Sequence, residues 1–183
     1  MKALKIVALT VGIVVLGILA LMMAAPAVNH VESTIIINAS AASIYREANG
    51  FKSFPAWSPL SDPRAKYSYA GPDAGVGARV NWDGPSAGRG YREITESEVN
   101  ARIKQMITFE GQEGRYVSEI KLEPVDGGTK VIWTYDSDYS DAAGMSGSMG
   151  KVMEMFAGQA LQDRYDAGLK ALKQVVERKP ELD

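Results

Sequence analysis

The feature that most constrains this chain is a series of short segments between residues 65 and 136 that alternate apolar and polar residues. Turn residues separate these segments, among them Gly71-Pro72, Asp83-Gly84-Pro85 and Asp126-Gly127-Gly128. Parallel neighbouring strands need a crossover of about a dozen residues or more, and these connections are shorter. The spacing therefore predicts an antiparallel sheet with strands at Ala65–Ala70, Gly77–Trp82, Gly90–Glu98, Arg102–Glu110, Tyr116–Pro124 and Lys130–Asp136.

Other elements flank this series. Val31–Asn38 is rich in Ile and Thr and predicts a strand, and Ala39–Asn49 predicts a short helix capped by Asn38 or Ser40. Phe51–Pro59 contains two prolines and predicts a turn or a single helical turn. A long amphipathic helix is predicted from Ser146 to Glu177, ended by Lys179-Pro180. Its apolar face comprises Met149, Val152, Met153, Phe156, Ala160, Tyr165, Leu169, Leu172 and Val176.

The alternation of apolar and polar residues within the strands indicates that one face of the sheet is buried and the other is exposed to solvent. The simplest α+β arrangement is one curved antiparallel sheet of about seven strands whose inner face meets the long C-terminal helix.

The N-terminus carries a candidate membrane segment. Lys2 and Lys5 precede an apolar run from Ile6 to Ala25, long enough as a helix to cross a bilayer. The run is either a signal anchor that contacts the membrane through residues 6–25, or a signal peptide cleaved near Ala27. Both alternatives divide the chain into residues 1–27 and an exported domain of residues 28–183. The domain then faces the periplasm or exterior, tethered in one case and released in the other.

Composition excludes several kinds of chemistry. The 183 residues include no Cys and one His, which excludes a disulfide framework, a Cys-based zinc site and a multi-His metal centre. We therefore expect no metal site and no cofactor. The formal net charge of -2 offers no concentrated basic patch, so no nucleic-acid partner is expected.

An ordered set of short motifs resembles the START-like (SRPBCC) superfamily, and most closely its bacterial polyketide cyclase/dehydrase-type members. The resemblance covers most of residues 31–175. It is carried by Ile36-Ile37-Asn38-Ala39-Ser40 with Ile44-Tyr45, Phe54-Pro55-Ala56-Trp57-Ser58-Pro59, Gly75-Val76-Gly77-Ala78 with Trp82, Ile94-Thr95-Glu96, and Gly127-Gly128-Thr129-Lys130-Val131-Ile132-Trp133.

This resemblance implies a helix-grip fold with a deep hydrophobic cavity between the sheet and the long helix. It does not imply a single activity. The favoured function is binding, and possibly transport, of a lipid or other hydrophobic small molecule on the outer side of the cytoplasmic membrane. The alternatives are a polyketide cyclase or dehydratase that uses the same cavity, and a structural protein whose interior is filled by side chains.

Inward-facing strand positions and the start of the long helix supply the candidate cavity residues. Any one aromatic residue among them is also a candidate for plain core packing. Gln105 and Ser118 are polar at inward positions, where they would orient a ligand or a water unless a bulge turns them outward. The methionines at the helix start predict a flexible gate or a frayed end. The full set is Trp57, Tyr67, Tyr69, Val80, Trp82, Gln105, Ile107, Phe109, Tyr116, Ser118, Ile120, Trp133, Tyr135, Met149, Met153 and Phe156.

No catalytic residue is predicted with the favoured function. Under the enzyme alternative, Glu93 is the candidate base, provided that the strand face it shares with Tyr91 and Thr95 points inward.

Overall fold

A computed structural model describes residues 2–58, 60–86 and 88–178. Its helices are α1 (Lys2–Ala24), α2 (Ala41–Ala48), α3 (Phe54–Trp57) and α4 (Gly144–Arg178). Its strands are β1 (Val28–Ile37), β2 (Lys66–Ala70), β3 (Arg79–Gly84), β4 (Gly88–Glu98), β5 (Arg102–Phe109), β6 (Arg115–Val125) and β7 (Gly128–Asp138).

The seven strands form one sheet in the order β1-β7-β6-β5-β4-β3-β2, and every neighbouring pair is antiparallel. Six consecutive strands thus pair as hairpins, and only β1 returns to lie beside the last strand. The long helix α4 packs on β1 and β7 and contacts α2 and α3. The predicted α+β helix-grip fold is confirmed.

The short elements between β1 and β2 settle two alternatives. Ser40 is the N-cap of α2, because its side chain accepts a hydrogen bond from the backbone N–H of Ser43. The segment after it forms a single helical turn, α3, whose Phe54 and Trp57 are buried. Pro59 and the predicted helix stop at Lys179-Pro180 lie outside the described residues.

Helix α4 covers the exposed edge of β1. Gln162 Nε2 donates to the Glu32 carbonyl at 2.8 Å, and Lys173 Nζ donates to the Ile36 carbonyl at 2.7 Å. The backbone N–H of Asn38 donates to Glu177 Oε1 at 2.9 Å. An uncovered edge strand offers free backbone groups to other chains, so these hydrogen bonds protect the sheet as well as hold the helix.

The first half of α4 is rotated relative to the predicted apolar face. Tyr165, Leu169, Leu172 and Val176 are buried as expected. Met149, Met153 and Phe156, by contrast, are 44%, 64% and 69% exposed, so the prediction that they face the sheet is wrong.

Glycines explain this difference. Gly147 lies against Ala142 and Gly150 lies against the Tyr139 ring, so closely that a Cβ at either position would overlap its neighbour. The smallest residues of this half-helix, rather than the largest, mark the face that approaches the domain.

Helix α1 is a single apolar helix, and Lys5–Ala24 is long and apolar enough to cross a membrane, with no part of that window buried in the protein. Both the anchor and the signal peptide predict such a helix. The helix ends beside the domain, where the Tyr139 backbone N–H donates to the Ala27 carbonyl at 2.8 Å.

Candidate functional site

A cavity of about 210 Å³ lies between the β2–β5 part of the sheet, the segment around α3 and the middle of α4. By the same measure one water needs about 10–15 Å³, so the cavity is large enough for an organic molecule. Its wall is mainly apolar and aromatic, formed by Phe51, Phe54, Leu60, Tyr67, Tyr69, Val80, Trp82, Ile107, Phe109, Tyr135, Leu161 and Tyr165.

The structure brings some of the sequence-predicted cavity residues together on this wall and places the others elsewhere. Those on the wall are Tyr67, Tyr69, Val80, Trp82, Ile107, Phe109 and Tyr135. Those buried behind it in the core, off the wall, are Trp57, Gln105, Tyr116, Ser118, Ile120 and Trp133. Met149 and Met153 line a separate cavity beside the β5–β6 turn, and Phe156 lies on the surface.

Aromatic packing accounts for the residues behind the wall. The Trp133 ring lies 5.4 Å from Trp57 and 4.1 Å from Tyr165, centroid to centroid. Tyr116 packs edge-on against Phe109 at 5.0 Å. Trp133 therefore supports Tyr165, and Tyr116 supports Phe109, both of which face the cavity. Of the two interpretations of the aromatic residues, ligand contact and core packing, core packing describes the layer behind the wall.

Ser118 and Gln105 do point inward, so the bulge alternative does not apply to them. A register shift lies between Ile94 and Glu96 on β4, yet both polar residues remain buried on their strands. Trp133 Nε1 donates to Ser118 Oγ at 2.9 Å, so Ser118 serves the core. Gln105 Oε1 is buried without a hydrogen-bond partner among the described residues, but it lies off the cavity wall.

Strand β4 presents Arg92 to the cavity, a residue that the sequence reasoning missed. Arg92 pairs with Val80 across β3, so the two side chains share the inner face. Glu93 consequently points outward, where its carboxylate lies 3.6 Å from Arg79 Nη1. The condition on which Glu93 was a candidate base, an inward strand face, is therefore not met. Arg92 could have been predicted only from the pairing of β3 with β4, because this register places Arg92 beside Val80, an apolar residue that faces inward.

Arg92 is an unusual group for an apolar wall. It is only 7% exposed, and its guanidinium carbon lies 4.9 Å above the centre of the Phe54 ring. Burial lowers the pKa of this guanidinium, while the neighbouring hydroxyls of Tyr165 and Tyr135 act in the opposite direction. An arginine starts from a pKa of about 12 or more and keeps its charge near neutral pH.

The other charged residues of the wall are Asp62 and Arg164. Asp62 Oδ1 accepts from Arg64 Nε at 3.1 Å. This hydrogen bond, a second one from the Arg64 backbone N–H at 2.9 Å and the nearby Ser86 hydroxyl hold the pKa of the Asp62 carboxyl well below its usual range. A carboxylate with so low a pKa is a weak base. Arg164 is exposed, so it contributes a solvated positive charge to the wall.

A second electrostatic cluster lies next to the cavity. Tyr135, whose ring is on the wall, donates its hydroxyl to Glu154 Oε1 at 3.3 Å. Burial raises the pKa of Glu154, although the nearby hydroxyls of Ser137 and Tyr135 partly oppose that shift. Burial and the Glu154 charge both raise the pKa of Tyr135, which keeps this phenol protonated.

A comparison with known families identifies the chain's relatives. The profile of the family described as "Polyketide cyclase / dehydrase and lipid transport" matches residues 29–177. The chain belongs to this family. The match confirms the resemblance inferred from the motifs. No curated protein matches the chain.

Solved structures show the same fold at low sequence identity. Protein TTHA0849 from Thermus thermophilus superposes with a TM-score of 0.62 at 17% identity, covering 81% of this chain and 97% of its own. Protein SA2116 from Staphylococcus aureus gives a TM-score of 0.61 at 14% identity, covering 82% and 94%. CV1439 from Chromobacterium violaceum gives a TM-score of 0.56 at 18% identity, covering 82% of this chain and 99% of its own.

Within residues 2–58, 60–86 and 88–178, no group of three or more His, Asp or Glu side chains is placed to hold a metal ion.

Proposed function

We propose that this protein binds a hydrophobic small molecule or lipid in the cavity between the sheet and α4, and carries it to or from the membrane. The observation that supports this proposal is the cavity itself, about 210 Å³ of space with a mainly aromatic and aliphatic wall. Burial of apolar ligand surface there contributes about 25 cal/mol for each Å² removed from water. The family description, which includes lipid transport, agrees with such a cargo.

The charged groups of the wall favour binding over acid–base catalysis. Glu93, the candidate base, is on the opposite face of the sheet. Asp62 is the carboxylate among the described wall residues, and its bridge to Arg64 makes it a weak base. A cyclase or dehydratase needs a group that accepts a proton near neutral pH. The wall residues that the structure describes offer cations, phenols and the Asp62 carboxylate, which is already paired with Arg64.

The way in which the apolar helix α1 joins the domain supports delivery. The apolar helix α1 leads directly into the domain at Ala27. The first half of α4 follows Tyr139 closely along the chain and exposes Met149, Met153 and Phe156 near the same end. We name these three residues the methionine patch. As an exposed apolar surface near the end of α1, it is suited to touch lipid in the proposed delivery.

Native mass spectrometry of the full chain, released from phosphatidylcholine nanodiscs, tests this function. We expect a bound apolar molecule on the wild-type chain. Ile107→Trp, which fills the cavity, removes that molecule. The matched control Ile36→Trp, at an exposed position of β1, retains it. A wild-type chain that carries no apolar molecule and takes none up from added fatty acids or alcohols would support the structural alternative, an interior closed by its own side chains.

A further inference from the structure

We propose that the cavity is specific for an acidic amphiphile, a molecule with an apolar body and one anionic group that binds the guanidinium of Arg92. This inference rests on the proposed function and adds the chemical class of the ligand. An anionic group contributes acceptor oxygens, and a carboxylate or phosphate matches the donor geometry of a guanidinium.

The first observation is an unsatisfied buried donor. Arg92 is more than nine-tenths buried, and its Nη1 atom has no hydrogen-bond partner among the described residues. No carboxylate lies within ion-pair distance of it in that part of the chain. A buried charge without a counter-ion costs free energy. Where the charged group lines a cavity, an anion that enters the cavity offsets that cost.

A second donor lies on the same wall. Trp82 pairs with Gly90 and Arg92 with Val80, so Trp82 and Arg92 are diagonal neighbours on the inner face of β3 and β4. The indole Nε1 of Trp82 is also buried without a partner. Among the wall residues that the structure describes, the buried polar side-chain atoms without a partner are Arg92 Nη1 and Trp82 Nε1, and both are hydrogen-bond donors. Two donors without a matching acceptor indicate a ligand that brings acceptor oxygens.

Aromatic rings surround these two donors. The Phe54 ring flanks the guanidinium, and the rings of Trp82 and Phe109 pack together at 5.6 Å along the sheet side. An apolar chain fits against these rings while its head reaches Arg92. Asp62 would repel an anion, but the neighbouring Arg64 neutralises it and Arg164 adds a second positive charge to the wall.

Equilibrium dialysis of the full chain in phosphatidylcholine nanodiscs, with empty nanodiscs subtracted, tests this specificity. The probes are decanoate, decyl phosphate, 1-decanol and methyl decanoate, which share one chain length and differ in the head. We expect decanoate or decyl phosphate to bind on the order of ten- to a hundredfold more tightly than decanol, as for a charged hydrogen bond. The preferred anion distinguishes a fatty-acid source from a phospholipid-derived one, and either supports the inference.

Two variants separate the role of Arg92 from a purely structural one. In Arg92→Met the advantage of the anionic probes over decanol disappears, while decanol binding and the unfolding temperature are kept or raised, since an unpaired buried charge is removed. In Trp82→Phe the anion advantage is reduced and not lost.

The outcomes distinguish this inference from the function on which it rests. Equal binding of decanoate and decanol to the wild type would overturn the inference and leave the proposed function standing. Equal loss of all four probes in Arg92→Met, with a lower unfolding temperature, would also overturn it. If the wild type binds none of the probes, the proposed function fails, and this inference fails with it.

Discussion

The indole N–H of Trp133 on β7 donates a hydrogen bond to the hydroxyl of Ser118 on β6, with 2.9 Å between the nitrogen and the oxygen. The Tyr165 hydroxyl lies 3.4 Å from the same serine oxygen. A small polar residue at the centre of the inner face thus joins two strands of the sheet to the helix that covers them. It also fixes the position of two large rings, Trp133 behind the cavity wall and Tyr165 on the wall.

Removing this hydroxyl is expected to destabilise the fold without changing the cavity. Ser118→Ala leaves the Trp133 N–H buried without an acceptor, which costs about 1–3 kcal/mol of the free energy of unfolding. Denaturant unfolding followed by tryptophan fluorescence measures this loss. Ser68→Ala, at an exposed position of β2, is the control and should change little. Unchanged stability of Ser118→Ala would contradict this structural role, and a loss of ligand binding at unchanged stability would show that Ser118 acts in the cavity.

Gly90 leaves room for a wall residue. It lies opposite Trp82 in the β3–β4 register, and a Cβ at this position would overlap the Trp82 indole and the Thr108 carbonyl. Gly90→Ala should therefore lower the free energy of unfolding by about 1–3 kcal/mol and change the environment of the Trp82 indole. Denaturant unfolding and tryptophan fluorescence report the two effects.

The control for this variant has the opposite expected sign. Gly158 lies within α4, and a Cβ there would meet no atom within 4 Å. Gly158→Ala should stabilise the protein by up to about 1 kcal/mol, since alanine favours a helix interior. A Gly90→Ala chain as stable as wild type would mean that Trp82 has space to move away.

Glu154 predicts a pH-dependent stability. Burial raises the pKa of its carboxyl in the folded chain above the unfolded value, so folding favours the protonated form. This contribution is fully present below the ordinary pKa of a glutamate and is lost as pH rises through the raised folded pKa. Glu154→Gln, which is neutral at every pH, should therefore gain stability relative to wild type as the pH rises from about 4 to about 7.

Thermal unfolding of both chains across that pH range checks this expectation. Glu123→Gln is the matched control, because Glu123 is an exposed residue paired with Lys130 Nζ at 3.1 Å. Its difference from wild type should not follow the pattern of Glu154→Gln. A Glu154→Gln chain that becomes less stable than wild type toward neutral pH would contradict a raised pKa at Glu154.

The methionine patch predicts a kinetic effect on exchange with membranes. Replacing Met149, Met153 and Phe156 with serine removes exposed apolar side chains, so folding stability should change little, while contact with lipid weakens. We expect slower transfer of a fluorescent fatty acid from the full chain in nanodiscs to acceptor vesicles, with unchanged affinity at equilibrium. The control is Val99→Ser, which removes an exposed apolar side chain in the β4–β5 turn. Equal transfer rates for all chains would exclude the patch from delivery.

Much of the fold was predictable because it depends on residues close together in the chain. The short connections after Gly84 and at Gly127 allow only hairpins, and hairpins make the sheet antiparallel. The strand bounds differ from the predicted ones by a few residues. The family resemblance also follows from local motifs.

The wall of the cavity was predictable only in part. Tyr67, Val80 and Trp82 follow from alternation along single strands. Arg92 does not, because a charged residue is expected to face outward until the pairing of β3 with β4 places it beside Val80. Ser118 lies on the inner face as expected, but its use depends on Trp133, a residue on another strand.

The amino-acid sequence alone determined the elements, the antiparallel pairing of consecutive strands and the apolar N-terminal helix, because turn chemistry and periodicity act over a few residues. Only the tertiary structure decided which polar groups are enclosed and which face of α4 is buried. Those outcomes depend on strand register and on how closely a helix approaches its neighbours. At Gly147 and Gly150 that approach requires the absence of a side chain, which a search for large apolar residues does not detect.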